Sequence, residues 1–108
     1  MRALVTGGTG FIGSNLALQL HADGHEVWIT GAEDEQELPE LRERTLPSEF
    51  WDLDWKKLGT LDVVFHQAAN NDTTFLDRAE MFRVNVEAAL KLFNDAVARG
   101  CRHLVYAS

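Results

Sequence analysis

The sequence is poor in basic residues, has one cysteine and lacks a long apolar run, and each shortage excludes a class of protein. Lys and Arg total 10 against 17 Asp and Glu, and the formal net charge of −7 disfavours binding to nucleic acid or to an anionic membrane surface. No apolar stretch approaches the ~20 residues that span a bilayer. Cys101 has no second cysteine with which to form an internal disulfide. We therefore expect a cytoplasmic protein that binds neither nucleic acid nor membrane.

The remaining composition is typical of one small globular domain. The 108 residues are 45% hydrophobic and 25% charged, which suits a single core and argues against disorder. Residues 1–6 run into a glycine turn too early to form a signal peptide. The histidines and the cysteine show no metal-ligand spacing, so we expect no metal site.

Short apolar runs alternate with helical patterns along the whole chain. Continuous apolar runs predict buried strands at 3–5, 27–29, 61–65 and 103–106. An alternating segment predicts a further strand over 49–53. Helical spacing predicts helices over 11–23 and 79–99, with a short helix inside 32–44. Strands separated by helices imply right-handed crossovers, so the pattern favours an α/β fold with a doubly wound parallel sheet.

The most informative segment is the glycine-rich turn Thr6-Gly7-Gly8-Thr9-Gly10-Phe11-Ile12-Gly13, which follows the first predicted strand and opens the first helix. Gly7, Gly10 and Gly13 recur every third residue, and the segment from Gly8 also fits the pattern G-x-G-x-x-G. Such glycines permit a tight turn, a close approach of backbone to a diphosphate, and close packing of helix on strand. The helix N-terminus offers N–H groups to the phosphates. The segment predicts a dinucleotide site, and the alternative is a turn that serves packing alone.

With this turn, four further segments resemble the extended short-chain dehydrogenase/reductases, in particular the NAD-dependent epimerase/dehydratase family that acts on nucleotide sugars. They are Trp51-Asp52-Leu53, His66-Gln67-Ala68-Ala69, Val84-Asn85-Val86 and Leu104-Val105-Tyr106-Ala107-Ser108. Residues 70–74 look most like the ADP-glycero-manno-heptose epimerases, with the UDP-glucose 4-epimerases close behind. The resemblance implies a Rossmann-like sheet of about five strands in the order 3-2-1-4-5. Residues 1–108 then form the N-terminal portion of a dinucleotide-binding domain, without the family's substrate domain.

The resemblance also implies which residues contact the cofactor. They are Gly7, Gly10, Phe11, Ile12, Gly13, Gly31, Ala32, Asp52, Leu53, Gln67, Ala68, Ala69, Asn71 and Asn85. In the family, the strand-end pair matched by Asp52 and Leu53 contacts adenine, and the motif that contains Gln67 borders the cofactor. For Asn85, a hydrogen bond that braces a neighbouring strand is an equally good interpretation.

The sequence departs from the family at the end of the second predicted strand. Members that prefer NAD usually place Asp there to bind the hydroxyls of the adenosine ribose, whereas this chain has Gly31. The acidic residues that follow would repel the 2′-phosphate of NADP, and they are Glu33, Asp34, Glu35 and Glu37. We therefore expect NAD as the cofactor, with NADP as the alternative, although most of the acidic run also fits a solvated loop.

The family's catalytic residues are absent from this sequence. Family members use a Tyr as general base, a Lys four residues later that lowers its pKa, and a Ser or Thr that polarises the substrate oxygen. Tyr106 is the only tyrosine here, and no lysine follows it. We assign no catalytic residue, and expect the NAD-binding portion of an epimerase or dehydratase that works by transient hydride transfer to the nicotinamide, inactive alone. The alternatives are a non-catalytic dinucleotide-binding module and an interaction protein.

The predicted helix over 79–99 carries two apolar stripes. One comprises Phe82, Val86, Leu90, Phe93 and Val97, and the other comprises Met81, Val84, Ala88, Leu92 and Ala96. A helix that is apolar on two sides needs two partners. The sheet is one partner, and the second is another helix of the chain or another subunit, as in a homodimer. The last predicted strand, 103–106, is expected at an open edge of the sheet.

Overall fold

The computed structural model describes residues 1–8, 11–31, 38–46, 50, 52–67 and 78–106. Its strands are β1 (Arg2–Thr6), β2 (Glu26–Thr30), β3 (Thr45–Leu46), β4 (Val63–His66) and β5 (His103–Tyr106). Its helices are α1 (Phe11–Ala22), α2 (Trp55–Leu58) and α3 (Arg78–Ala98), and a 3₁₀ helix spans Pro39–Arg44. Within these residues, no helix combines the length and the apolar character needed to cross a membrane.

The strands of the described residues form one parallel sheet in the order β3-β2-β1-β4-β5. The predicted fold class and strand order are therefore confirmed. The chain starts in the middle of the sheet, moves outwards through β2 and β3, and returns past β1 to β4 and β5. This reversal places a switch point between β1 and β4, and ligands of such sheets bind in the crevice at the carboxyl ends of the strands there.

The two faces of the sheet pack into separate core clusters. On one face, Leu4 of β1 packs in a cluster with Leu92 of α3. On the other face, Val5 and Ile29 pack with Ala17 of α1. Because both faces are covered, the central strands are apolar at successive positions rather than at alternate ones, which made them recognisable as continuous runs.

The prediction of a strand over 49–53 is wrong. The third strand is the two-residue β3, which pairs with the end of β2. Phe50 lies in a turn, and its buried ring fills the core cluster on the α3 face. Asp54 then caps α2 by accepting a hydrogen bond from the Lys57 N–H at 3.3 Å. The alternation of apolar residues in 49–53 therefore marks separate anchors of a connection, and the short helix α2 was not predicted.

The two apolar stripes of α3 differ in burial. Leu92 and Ala96 are each 1% exposed, because this side of the helix packs in the core cluster beside the sheet. By contrast, Phe82 is 72% exposed, and Leu90 and Val97 are each 55% exposed. The sheet is thus one partner of α3. In the second stripe, Phe93 packs against the core cluster, whereas Phe82, Leu90 and Val97 are left exposed by the described residues.

The far edge of the sheet is also open in the described residues. Strand β5 pairs with β4 on one side, and all four of its residues are exposed. Among them, Leu104, Val105 and Tyr106 are 38%, 42% and 51% exposed. Within the described residues, β5 is therefore an edge strand.

Candidate functional site

The candidate site begins at the end of β1, beside the switch point of the sheet. Gly7 has a φ of 67°, a left-handed backbone conformation that suits glycine. This conformation turns the chain out of β1 towards α1, whose first residue is Phe11. The N-terminus of α1 consequently lies at the carboxyl edge of the sheet, where its unbonded N–H groups and partial positive charge favour an anion.

Two further glycines are required by close packing around the turn. A Cβ on Gly13 would overlap the carbonyl group of Gly7, so a side chain here would force α1 away from the turn. A Cβ on Gly8 would lie 2.5 Å from the Cβ of Ile29 on β2. Gly8 and Gly13 thus let β2, the turn and the head of α1 pack closely, which places the N–H groups at the beginning of α1 beside the end of β1. The next glycine of the predicted motif, Gly10, lies outside the described residues.

Thr30, at the end of β2, holds the turn from one side and was not identified from the sequence. The Gly8 N–H donates to the Thr30 carbonyl oxygen at 2.7 Å, and the Gly7 N–H donates to the Thr30 hydroxyl at 3.4 Å. Because these two amides are bonded within the protein, the groups that the described residues leave for an anion are those at the beginning of α1. A threonine at a strand end is a weak signal, since threonine is common throughout strands.

Thr6 and His66 hold the turn from the other side. A hydrogen bond of 2.6 Å joins Oγ1 of Thr6 to Nδ1 of His66, at the facing ends of β1 and β4. The N–H of Gln67 donates to the carbonyl oxygen of Thr6 at 3.2 Å and to its hydroxyl at 3.1 Å. These bonds tie the residue before the glycine turn to the residue after β4.

The ring of His66 is enclosed by other aromatic rings. Its centroid lies 4.6 Å from that of Phe50, 5.4 Å from that of Tyr106 and 5.8 Å from that of Phe93. His66 is 3% exposed, and burial lowers the pKa of its imidazole to about 4 because the charged form loses its water. The ring is therefore neutral at physiological pH.

Several predicted cofactor residues share this edge of the sheet. Gly7 follows β1, Gly31 follows β2 and Gln67 follows β4, so parallel strands bring them to one side of the molecule. Ile12 and Gly13 lie in the first turn of α1, where the side chain of Ile12 is 68% exposed. The topology therefore brings together residues that are up to 60 positions apart in the chain.

Among the other predicted cofactor residues, the structure describes Asp52, Leu53 and Asn85. Asp52 is exposed and Leu53 is half-buried against the core cluster on the α3 face, in the connection before α2. They do not end a strand, which corrects the strand-end position inferred for this pair. Asn85 is half-buried within α3. Outside the described residues lie Gly10, Ala32, Ala68, Ala69, Asn71 and the side chain of Phe11.

The described residues offer little for a metal ion. Within them, no group of three or more His, Cys, Asp or Glu side chains is placed to hold one. The N–H groups at the head of α1 instead suit a ligand with a diphosphate. The arrangement can therefore bind and orient a dinucleotide.

Comparison with known proteins leads to the same ligand class. The model of the NAD dependent epimerase/dehydratase family matches residues 3–108. A solved UDP-galactose 4-epimerase is 34% identical over 100% of this chain and 38% of its own, with a TM-score of 0.70. The ADP-L-glycero-D-manno-heptose-6-epimerase of Helicobacter pylori is 27% identical over 98% of this chain and 38% of its own, with a TM-score of 0.73. A short-chain dehydrogenase/reductase superfamily protein from Agrobacterium tumefaciens, solved with bound NAD, is 27% identical over 98% and 32%, with a TM-score of 0.76.

These likenesses confirm the resemblance found in the sequence. The chain spans between 32% and 38% of the length of these three proteins. The five-stranded order and the glycine turn at the head of α1 agree with the family's cofactor-binding fold. Since the family model matches nearly every residue, the chain belongs to the NAD dependent epimerase/dehydratase family.

Proposed function

We propose that this chain is the NAD-binding portion of a nucleotide-sugar epimerase or dehydratase. The observation that carries the proposal is the close approach of the head of α1 to the turn after β1, where Gly13 leaves no room for a Cβ against Gly7. Family membership supports NAD as the dinucleotide, and the relative from Agrobacterium tumefaciens was solved with NAD. Residues 1–108 then belong to the dinucleotide-binding domain. The single cysteine, which is buried, supports a cytoplasmic location.

The residues on the β2 side of the switch point hold the adenosine half in this proposal. The N–H groups at the beginning of α1 hold the diphosphate, because the helix dipole favours negative charge there. Gly31 and Ala32 border the adenosine ribose, and Asp52 and Leu53 border the adenine. An uncharged Gly31 leaves discrimination against NADP to the acidic residues that follow it in the sequence.

The residues on the β4 side border the nicotinamide half. Gln67 follows β4 directly, Ala68, Ala69 and Asn71 come next in the chain, and Asn85 lies on α3. When bound, NAD supplies a hydride acceptor for the oxidation of a sugar carbon. The task of this chain is to bind NAD and to orient its nicotinamide.

Titration with NAD, followed by thermal unfolding, tests the proposal. A ligand of the folded state stabilises it by about 2.7 kcal/mol at 100 times its Kd, so Tm rises with NAD concentration. Gly13→Ala is expected to abolish this rise, because the new Cβ overlaps the Gly7 carbonyl group. Gly24→Ala at the other end of α1 is the matched control. Its Cβ meets nothing within 4 Å, and its positive φ of 89° is expected to lower Tm without removing the response to NAD. NADP is expected to raise Tm less than NAD does.

Two results would contradict the proposal. One is a Tm that does not respond to NAD in the unmodified chain. The other is a Gly13→Ala variant that folds and binds NAD as tightly as the unmodified chain. If Gly24→Ala and Gly13→Ala both lack the NAD-dependent rise in Tm, the rise does not depend on the head of α1.

The reaction proposed for the longer protein is transient hydride transfer between a nucleotide sugar and the nicotinamide. This chain alone is expected to give no turnover. Its only tyrosine, Tyr106, packs against the rings of His66 and Phe93 and has no lysine after it in the sequence. Interconversion of UDP-glucose and UDP-galactose by this chain with NAD would contradict that expectation.

We also propose that a second copy of the chain covers the exposed stripe of α3. Phe82, Leu90 and Val97 form a row of exposed large apolar side chains, which is typical of a contact surface. Two helices related by a twofold axis would present this same stripe to each other. Leu90→Glu is expected to lower the dimer fraction in analytical ultracentrifugation. Asn94→Glu adds the same charge at another exposed position of α3 and is expected to leave the dimer fraction unchanged. A chain that sediments as a monomer at all accessible concentrations would contradict the dimer.

A further inference from the structure

The ring of His66 lies where the core cluster meets the proposed cofactor edge. It is 3% exposed and contacts the rings of Phe50, Phe93 and Tyr106. A phenylalanine would satisfy these ring contacts as well, and it would avoid the cost of burying a polar imidazole. The ring contacts therefore do not account for a histidine at this position.

The hydrogen bond to Thr6 is what a phenylalanine could not supply. Nδ1 of His66 and Oγ1 of Thr6 are 2.6 Å apart, and both side chains are buried. The same oxygen accepts the N–H of Gln67 at 3.1 Å. The result is a short bonded link across the ends of β4 and β1. Gly7 follows this link on one strand and Gln67 follows it on the other.

We propose that His66 is a positioning residue for the cofactor. Through the hydroxyl of Thr6, its ring holds the ends of β1 and β4 together, so that the glycine turn and Gln67 keep the arrangement that receives the dinucleotide. This inference rests on the proposed NAD-binding function. It assigns His66 no contact with the cofactor itself.

The size of the effect follows from the burial of the link. A hydrogen bond between buried groups is strengthened by the low local dielectric. Its net contribution to the free energy is that of one intramolecular hydrogen bond. If the ends of the strands loosen when this bond is removed, the affinity for NAD is expected to fall by about 3- to 10-fold. Residues far from the link, such as Gly24, are not expected to share this effect.

A double-mutant cycle on NAD affinity tests the inference. His66→Phe keeps a ring among its aromatic neighbours and removes the hydrogen bond, and Thr6→Val keeps the branched shape and removes the hydroxyl. Each is expected to raise the Kd for NAD by about 3- to 10-fold. The double variant is expected to bind no more weakly than the weaker single variant, because both changes break the same link. Thr6→Ser, which retains the hydroxyl, is expected to stay within about twofold of the unmodified chain.

A second measurement does not depend on NAD. Hydrogen exchange by NMR is expected to show faster exchange of the Gly7, Gly8 and Gln67 amides in His66→Phe. The amides of Leu4 and Val64, which lie further back along β1 and β4, are expected to keep their protection. Uniformly faster exchange would instead indicate a general loss of stability and would overturn the positioning role.

The outcomes separate this inference from the proposed function. An unmodified chain that does not bind NAD would refute the proposed function, and the exchange pattern would still decide whether His66 orders this edge. A chain that binds NAD with unchanged affinity in His66→Phe would overturn the positioning role alone. So would a double variant whose loss equals the product of the two single losses, or a Thr6→Ser variant as weak as Thr6→Val.

Discussion

Replacing His66 with phenylalanine is expected to remove an acid-sensitive part of the folding stability. Burial lowers the pKa of the His66 imidazole from 6.5 to about 4. Between these values the unfolded chain binds a proton that the folded protein does not, so the free energy of unfolding decreases as the pH falls from 6.5 towards 4. At about 1.4 kcal/mol for each pKa unit, the full loss is about 3 kcal/mol. That is a large fraction of the roughly 5–15 kcal/mol that stabilises an ordinary domain.

Urea unfolding of both proteins between about pH 4 and pH 7 measures this contribution. His66→Phe retains a ring beside Phe50, Phe93 and Tyr106 but has no group that binds a proton. All other titratable groups are common to the two proteins, so their effects cancel in the difference. The unmodified chain is expected to lose about 3 kcal/mol more than the variant over the window, with most of the loss below pH 6.5.

The sign of the difference is as informative as its size. Equal pH dependence in the two proteins would refute the argument, because it would mean that His66 takes up a proton as easily in the folded state as in the unfolded one. A variant that loses more stability in acid than the unmodified chain would refute it as well. A direct titration of the imidazole by NMR would give the pKa independently, and a value near 6.5 would contradict the effect of burial.

Three further predictions concern packing and can be measured by urea unfolding. Gly8→Ala is expected to lower the free energy of unfolding by about 1–3 kcal/mol, because its Cβ would lie 2.5 Å from Cβ of Ile29. A smaller residue in place of Ile29 should recover part of this loss, and a Gly8→Ala variant of unchanged stability would contradict the packing. Leu92→Ala should cost about 2–5 kcal/mol, and Asn94→Ala, at an exposed position of the same helix, no more than about 0.5 kcal/mol. Equal costs would contradict the orientation of α3. Asp54→Ala should cost about 1 kcal/mol through loss of the cap of α2, whereas Asp54→Asn, which can still cap, should cost less.

The central strands and long helices were predictable because their signals are local. Ala3-Leu4-Val5 and Val27-Trp28-Ile29 are apolar at every position, as strands covered on both faces must be. The predicted helix over 79–99 is observed as Arg78–Ala98, and it ends beside Gly100, which has a positive φ. The strand at 103–106 is observed with the same bounds.

The third strand was predicted wrongly because its signal is not local. Thr45–Leu46 is too short to show any periodicity, and it is a strand only because it pairs with Ile29 and Thr30 of β2. Phe50 and Leu53 both pack against the core from a connection rather than from a pleated strand. The pattern of apolar residues recorded which side chains are buried, but the backbone conformation depended on a partner elsewhere in the chain.

The candidate site also contains a part that was predictable from the sequence and a part that was not. The glycine turn could be read from the sequence, because tight turning and close approach depend on the residues of the turn itself, and Gly7 and Gly13 show both. The hydrogen bonds that hold the turn could not be predicted from the sequence, because their partners come from other strands. Thr30 lies 23 residues from Gly7, and His66 lies 60 residues from Thr6. The glycine turn therefore followed from the sequence alone. The hydrogen bonds between distant residues depended on the tertiary structure, because these form only when the parallel strands are in register.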